Sequence, residues 1–106
     1  MSVLLEISMF PMDKGESVSE YVSQVVKMIK NANVDYRLTA MGTVVETDTI
    51  REALDVIERA YDVLDGLGCH RVYSALKFDI RKGETGRLSR KVQSVAEKIG
   101  PVSSTE

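Results

Sequence analysis

Residues 41–49 read MGTVVETDT. Gly42-Thr43 is a tight-turn step, TVVE is a short β-branched run, and Thr49 opens a Thr-x-x-Glu pattern closing at Glu52. Such a pattern is a capping box, in which the two side chains satisfy the first free amides of a helix. The stretch therefore predicts turn, strand and helix start within nine residues. Working backward, Val34–Thr39 (VDYRLT) alternates, with Val34, Tyr36 and Leu38 on one face. Only Ala40-Met41-Gly42 separates the two runs, and so short a loop favours an antiparallel hairpin. Working forward, Ile50, Ala53, Leu54, Ile57, Tyr61 and Leu64 form an apolar stripe on a helix to about Asp65. Gly66 and Gly68 stop it.

The flanks repeat this logic. VLLEISMF (3–10) predicts a strand with Val3, Leu5, Ile7 and Met9 on one face and Leu4, Glu6, Ser8 and Phe10 on the other. Pro11 ends it, since proline cannot donate to a ladder. Ser17–Glu20 has a second capping-box pattern, followed by a helix with Val18, Val22, Val25, Val26 and Ile29 at helical spacing. Asn31-Ala-Asn33 ends that helix. HRVYSALKFDI (70–80) predicts a long strand, residues 88–99 a short helix, and residues 101–106 a frayed tail after a single domain over 1–100.

The order is β-α-β-β-α-β plus a terminal helix. That is an α+β, ferredoxin-like sandwich with an extra C-terminal helix. Its first and third strands are central and its fourth lies beside the first. Two helices cover one sheet face. The other would carry Glu6, Ser8, Tyr73, Lys77 and Asp79 among Leu4, Phe10 and Ala75. A patch so mixed is too apolar to leave wet and too charged for a core. A second subunit is the simplest cover. The expected assembly is a homo-oligomer with a dimer as its minimum unit, whose covered face could hold a small molecule.

Composition excludes several classes. A net charge of −2 offers no basic footprint for nucleic acid. The single cysteine, Cys69, allows no internal disulfide and no thiolate metal cluster, and suits a reducing cytoplasm. Beside Gly68 it reads as a small buried apolar group. The lone His70 cannot form a His-rich metal site. No apolar run is long enough to span a membrane.

The segments SMFPM (8–12), MGTVVE (41–46) and HRVYSALKFDIRKG (70–83) resemble the small thiamine-binding, YkoF-like family of ferredoxin-like proteins. The matching residues are Ser8 and Pro11; Gly42, Thr43 and Glu46; and Arg71, Val72, Lys77, Asp79 and Arg81. Thr47 follows Glu46 where some relatives have glycine. The resemblance implies oligomers built on paired sheets, often tetramers. It implies non-catalytic binding of thiamine or its hydroxymethylpyrimidine half at the sheet face, with no cofactor required.

That ligand needs a ring contact, a partner for an amino group and, for whole thiamine, compensation of a cation. Glu46 and Asp79 could supply the carboxylate. Ser8 and Thr43 both donate and accept. Gly42 allows close backbone approach, and the Met41 thioether suits an aromatic face. Lys77 could neutralise a carboxylate or meet a phosphate. Each has a structural reading too. Gly42 serves the turn, Thr43 the strand, and Lys77 with Asp79 a salt bridge between subunits. Thr43 and Glu46 are three apart, so a regular strand turns them to opposite faces. A regulatory or structural oligomer without ligand, and an enzyme acting on a pyrimidine compound through Glu46, Asp79 or His70, are the competing functions.

Overall fold

The structure is a computed structural model and describes residues 1–103. Its order is β1 (Ser2–Pro11), α1 (Ser19–Asn31), β2 (Asp35–Leu38), β3 (Thr43–Thr47), α2 (Ile50–Gly66), β4 (Val72–Arg81) and α3 (Arg87–Ile99). The four strands form one antiparallel sheet in the order β2-β3-β1-β4. This is the expected ferredoxin-like βαββαβ arrangement with a C-terminal helix. Of the expected tail at 101–106, the last three residues lie outside the described residues. Among the described residues, no helix is long and apolar enough to cross a membrane.

Alternation in β1 puts Val3, Leu5, Ile7 and Met9 under the helices, where they pack with Val45, Val25, Ile29 and Leu64. Cys69 is buried in the same core. The Thr49 cap forms: Glu52 donates its amide to the Thr49 hydroxyl at 3.1 Å, while the Glu52 carboxylate accepts from that hydroxyl at 2.8 Å and not from the Thr49 amide. The Ser17 box does not form. Helix α1 starts at Ser19 with Val18 as its cap residue and no side-chain capping bond.

The apolar stripe of α2 is also rotated from expectation. Ala53, Val56, Ala60 and Leu64 are buried, whereas Ile50, Leu54 and Tyr61 are exposed. Three of the four inward residues are Ala or Val. Small side chains let the helix lie close on β1 and β3, and the bulkier arc is left outside.

Strand β4 is an edge. From Tyr73 to Arg81 it is exposed on both faces. Leu76, Phe78 and Ile80 point to the helix layer, yet α2 lies over β1 and β3 instead. The radius of gyration, 14.9 Å, exceeds the roughly 13 Å of a compact domain this size, as a projecting edge strand and terminal helix require.

Helix α3 crosses the second sheet face of its own chain, over β1, β2 and β3. Leu88 and Val92 are half-buried against the sheet, while Val95 and Ile99 are exposed. The face expected to be open is thus partly roofed from within the chain.

Candidate functional site

Both ends of β1 gather candidate residues, in two separate groups. The first group is the seat of α3. Leu4 of β1 stands opposite Glu46 on one side and Asp79 on the other. Helix α3 begins after Gly86, which has no side chain to cap it. Glu46 caps it from β3: its carboxylate accepts from the Arg87 amide at 3.0 Å, the Leu88 amide at 3.1 Å and the Ser2 hydroxyl at 2.5 Å. The Arg87 guanidinium donates to the Ser2 hydroxyl and carbonyl, both at 3.0 Å, and to the Asp79 carbonyl at 2.6 Å. Its other nitrogen is 3.1 Å from the Asp79 carboxylate. Burial alone would raise the Glu46 pKa, but the Ser2 hydroxyl, the two helix amides and the Arg87 charge outweigh it and lower the pKa below its usual value. Ser2 and Arg87 carried no signal in the sequence, because their link to Glu46 exists only after folding.

Lys77 lies between the two groups. It is opposite Glu6, with its ammonium 3.8 Å from that carboxylate. Within this chain Lys77 and Asp79 therefore each have another partner. Both pairs are solvated at one end at least, so neither holds much energy by itself.

The second group lines a cleft of about 180 Å3 between α1, β1 and the turn joining β2 to β3. Ser8, Met41, Gly42 and Thr43, four of the seven candidates, are on its wall. Leu38, Phe10, Val22, Val26 and Met9 are among its apolar lining. A regular β3 turns Thr43 to the helix layer, where it is buried, and Glu46 to the opposite face. The parity argument thus holds without a bulge. Four residues of β1, roughly 13 Å, separate Leu4 from Ser8, so Glu46 and the cleft do not meet.

The turn itself is tied by Thr39. Its hydroxyl donates to the Gly42 carbonyl at 2.8 Å and accepts from the Met41 and Gly42 amides at 3.2 Å each. A Cβ at position 42 would stand 3.0 Å from the Ile7 carbonyl, so glycine is required by the approach of the turn to β1. Met41 is exposed at the cleft mouth. Among the described residues, neither the Ser8 nor the Thr43 hydroxyl has a hydrogen-bond partner. No charged side chain lines the cleft. His70 is exposed and lies two residues before β4, its amide donating to the Asp13 carboxylate at 2.8 Å. Among the described residues, no cluster of His, Cys, Asp or Glu could hold a metal.

A shallower depression of about 760 Å3 runs beside Ile50, Leu54 and Arg59 on the outer face of α2. It is broad, rimmed by solvated charges, and collects none of the candidates.

A family model described as thiamine-binding protein matches residues 5–96. The chain belongs to this family. An UPF0045 protein of Methanothermobacter thermautotrophicus is 34% identical over 98 residues, covering 92% of this chain and 99% of the relative. The crystal structure of a hypothetical protein from Methanocaldococcus jannaschii superposes with a TM-score of 0.77 at 36% identity, covering 91% of this chain and 97% of the other. A Thermotoga maritima structure, described as a candidate thiamine biosynthesis/salvage protein, has a TM-score of 0.76 at 19% identity over 90% of this chain and 99% of the other, and shows the shared fold.

Proposed function

We propose that this chain binds thiamine, or its hydroxymethylpyrimidine half, without transforming it, and does so as a homo-oligomer in the cytoplasm. The cleft at Ser8, Met41, Gly42 and Thr43 carries the reading. A cavity of about 150 Å3 is enough for one benzene-sized ring. At about 180 Å3 the cleft suits a single pyrimidine and is too small for both rings of thiamine. Its uncharged lining suits a neutral ring and not a thiazolium cation, which costs heavily to bury unpaired. The pyrimidine therefore enters, and the thiazolium stays at the mouth near Met41. The Ser8 and Thr43 hydroxyls are available to the ring. Glu46 and Asp79 act at the α3 seat, and Lys77 serves the open face.

Self-association is supported by β4. Along its ten residues every second one turns its N–H and C=O to the free edge, and Leu76, Phe78 and Ile80 leave an apolar row beside it. Pairing with a second copy covers both at once.

Thermal unfolding with thiamine, its phosphates and hydroxymethylpyrimidine tests the ligand. At a hundredfold excess over the dissociation constant, binding adds about 2.7 kcal/mol of stability, a shift of several degrees. No shift with any of these compounds overturns the reading. Light scattering tests the assembly: the wild-type chain elutes as a dimer or larger, and Phe78→Lys reduces it to a monomer. A monomeric wild-type protein removes the oligomer.

A further inference from the structure

Beyond Ile7 the sheet loses a strand on one side of β1. The ladder with β3 ends at Ile7↔Thr43, whereas β4 accompanies β1 to Pro11↔Val72. In an antiparallel sheet, each residue's N–H and C=O point together to one neighbour, and successive residues alternate. Two contacts set the phase. Met12 donates its amide to the Arg71 carbonyl at 2.7 Å, so even-numbered residues of β1 address β4. The Ile7 carbonyl faces Gly42, so odd-numbered residues address β3.

Met9 is odd-numbered. Its N–H and C=O point into the gap where β3 has not yet begun, and both Met9 and Gly42 line the cleft there. Continued register would have put Met41 opposite Met9, but the turn bonds to itself through Thr39 and curls away. Pro11, the next odd residue, has no N–H to satisfy. Met9 is only 7% exposed, and its amide and carbonyl face the cleft instead of a strand.

We infer that Met9 recognises the ligand through its main chain. Its N–H donates to a ring nitrogen and its C=O accepts from an amino group on the adjacent carbon. This donor–acceptor pair is what a hydrogen-bonded residue of β3 would have met, so an amino-imine edge completes the ladder in place of Met41. The ligand class follows: flat heteroaromatic rings with an amino group next to a ring nitrogen. The inference rests on the pyrimidine-binding reading above and adds the edge that is read.

The test is NMR of the 15N-labelled protein with 15N-labelled hydroxymethylpyrimidine, alongside an analogue whose amino group is replaced by hydrogen. The expected result is a downfield shift of the Met9 amide and a 15N–15N coupling across its hydrogen bond to the ring. Ser8 and Phe10 amides, already bonded to β4, move little, and the analogue binds at least tenfold more weakly. If hydroxymethylpyrimidine raises the melting temperature while the Met9 amide stays in place, or the analogue binds equally well, main-chain recognition is wrong and the binding reading survives. If no pyrimidine binds, both fall together.

Discussion

Near Ser2, β1 has β3 and β4 on its flanks and the start of α3 above it. Near Met9, it has β4 alone on one flank and a cleft on the other. The serines show the contrast. Ser2 is buried and bonded to both Glu46 and Arg87, whereas Ser8 is half-buried and, among the described residues, makes no side-chain hydrogen bond. One end uses its polar groups to hold the fold together. The other keeps them available in an apolar wall. A strand that outruns one neighbour by four residues creates this difference without any unusual residue.

The contrast can be broken most directly at Glu46. Glu46→Ala removes the cap of α3 and three charge-assisted hydrogen bonds, and should cost about 2 kcal/mol. Urea unfolding measures it, and hydrogen exchange should speed up at Arg87 and Leu88. Ligand affinity should stay unchanged, since sites this far apart act independently. Lost affinity in a folded Glu46→Ala protein would make the two ends one site.

Acid should reproduce part of that loss. Glu46 has a lowered pKa in the folded chain, so its contribution is complete above the ordinary glutamate range and vanishes as pH falls through the folded value. Stability should therefore fall on acidification, and less steeply in Glu46→Ala. Equal slopes would mean that Glu46 gains nothing from its partners. Asp13, lowered chiefly by the His70 amide, titrates in the same sense in both proteins.

At the other end the expected effects are on binding. Thr43→Val keeps the shape of the buried side chain and removes its hydroxyl. Affinity for hydroxymethylpyrimidine should fall about fivefold, the worth of one neutral hydrogen bond, with the melting temperature of the free protein nearly unchanged. Unaltered affinity by calorimetry would take the Thr43 hydroxyl out of the site.

The smallest effect is expected between the two ends. Lys77→Ala breaks an exposed pair with Glu6 and should change stability by less than about 0.5 kcal/mol. A larger loss, accompanied by dissociation in light scattering, would place Lys77 in the subunit interface.

Much of this was legible in the residues themselves. Period-two alternation in β1 named its buried face, the Thr49–Glu52 spacing placed the start of α2, and the three-residue gap between Thr43 and Glu46 set them on opposite faces. Helical spacing alone left the exact face of α2 open by part of a turn: the sheet accepts Val56 and Ala60 beside Ala53 and Leu64, where small side chains allow closer approach, and leaves Ile50, Leu54 and Tyr61 outside. The Ser17–Glu20 spacing permits a cap without compelling one, and α1 starts at Ser19 instead.

The sequence by itself determined the order of elements, the faces of the strands and the residues at the tight turn, because these follow from local periodicity and backbone sterics. Tertiary structure alone decided that Glu46 caps α3, that Arg87 joins Ser2 to Asp79, and that Met9 turns its amide toward a cleft. Those outcomes depend on which segments become neighbours and where one strand stops short of another. Glu46 and Arg87, 41 positions apart in the chain, acquire such a relation only when burial brings them together.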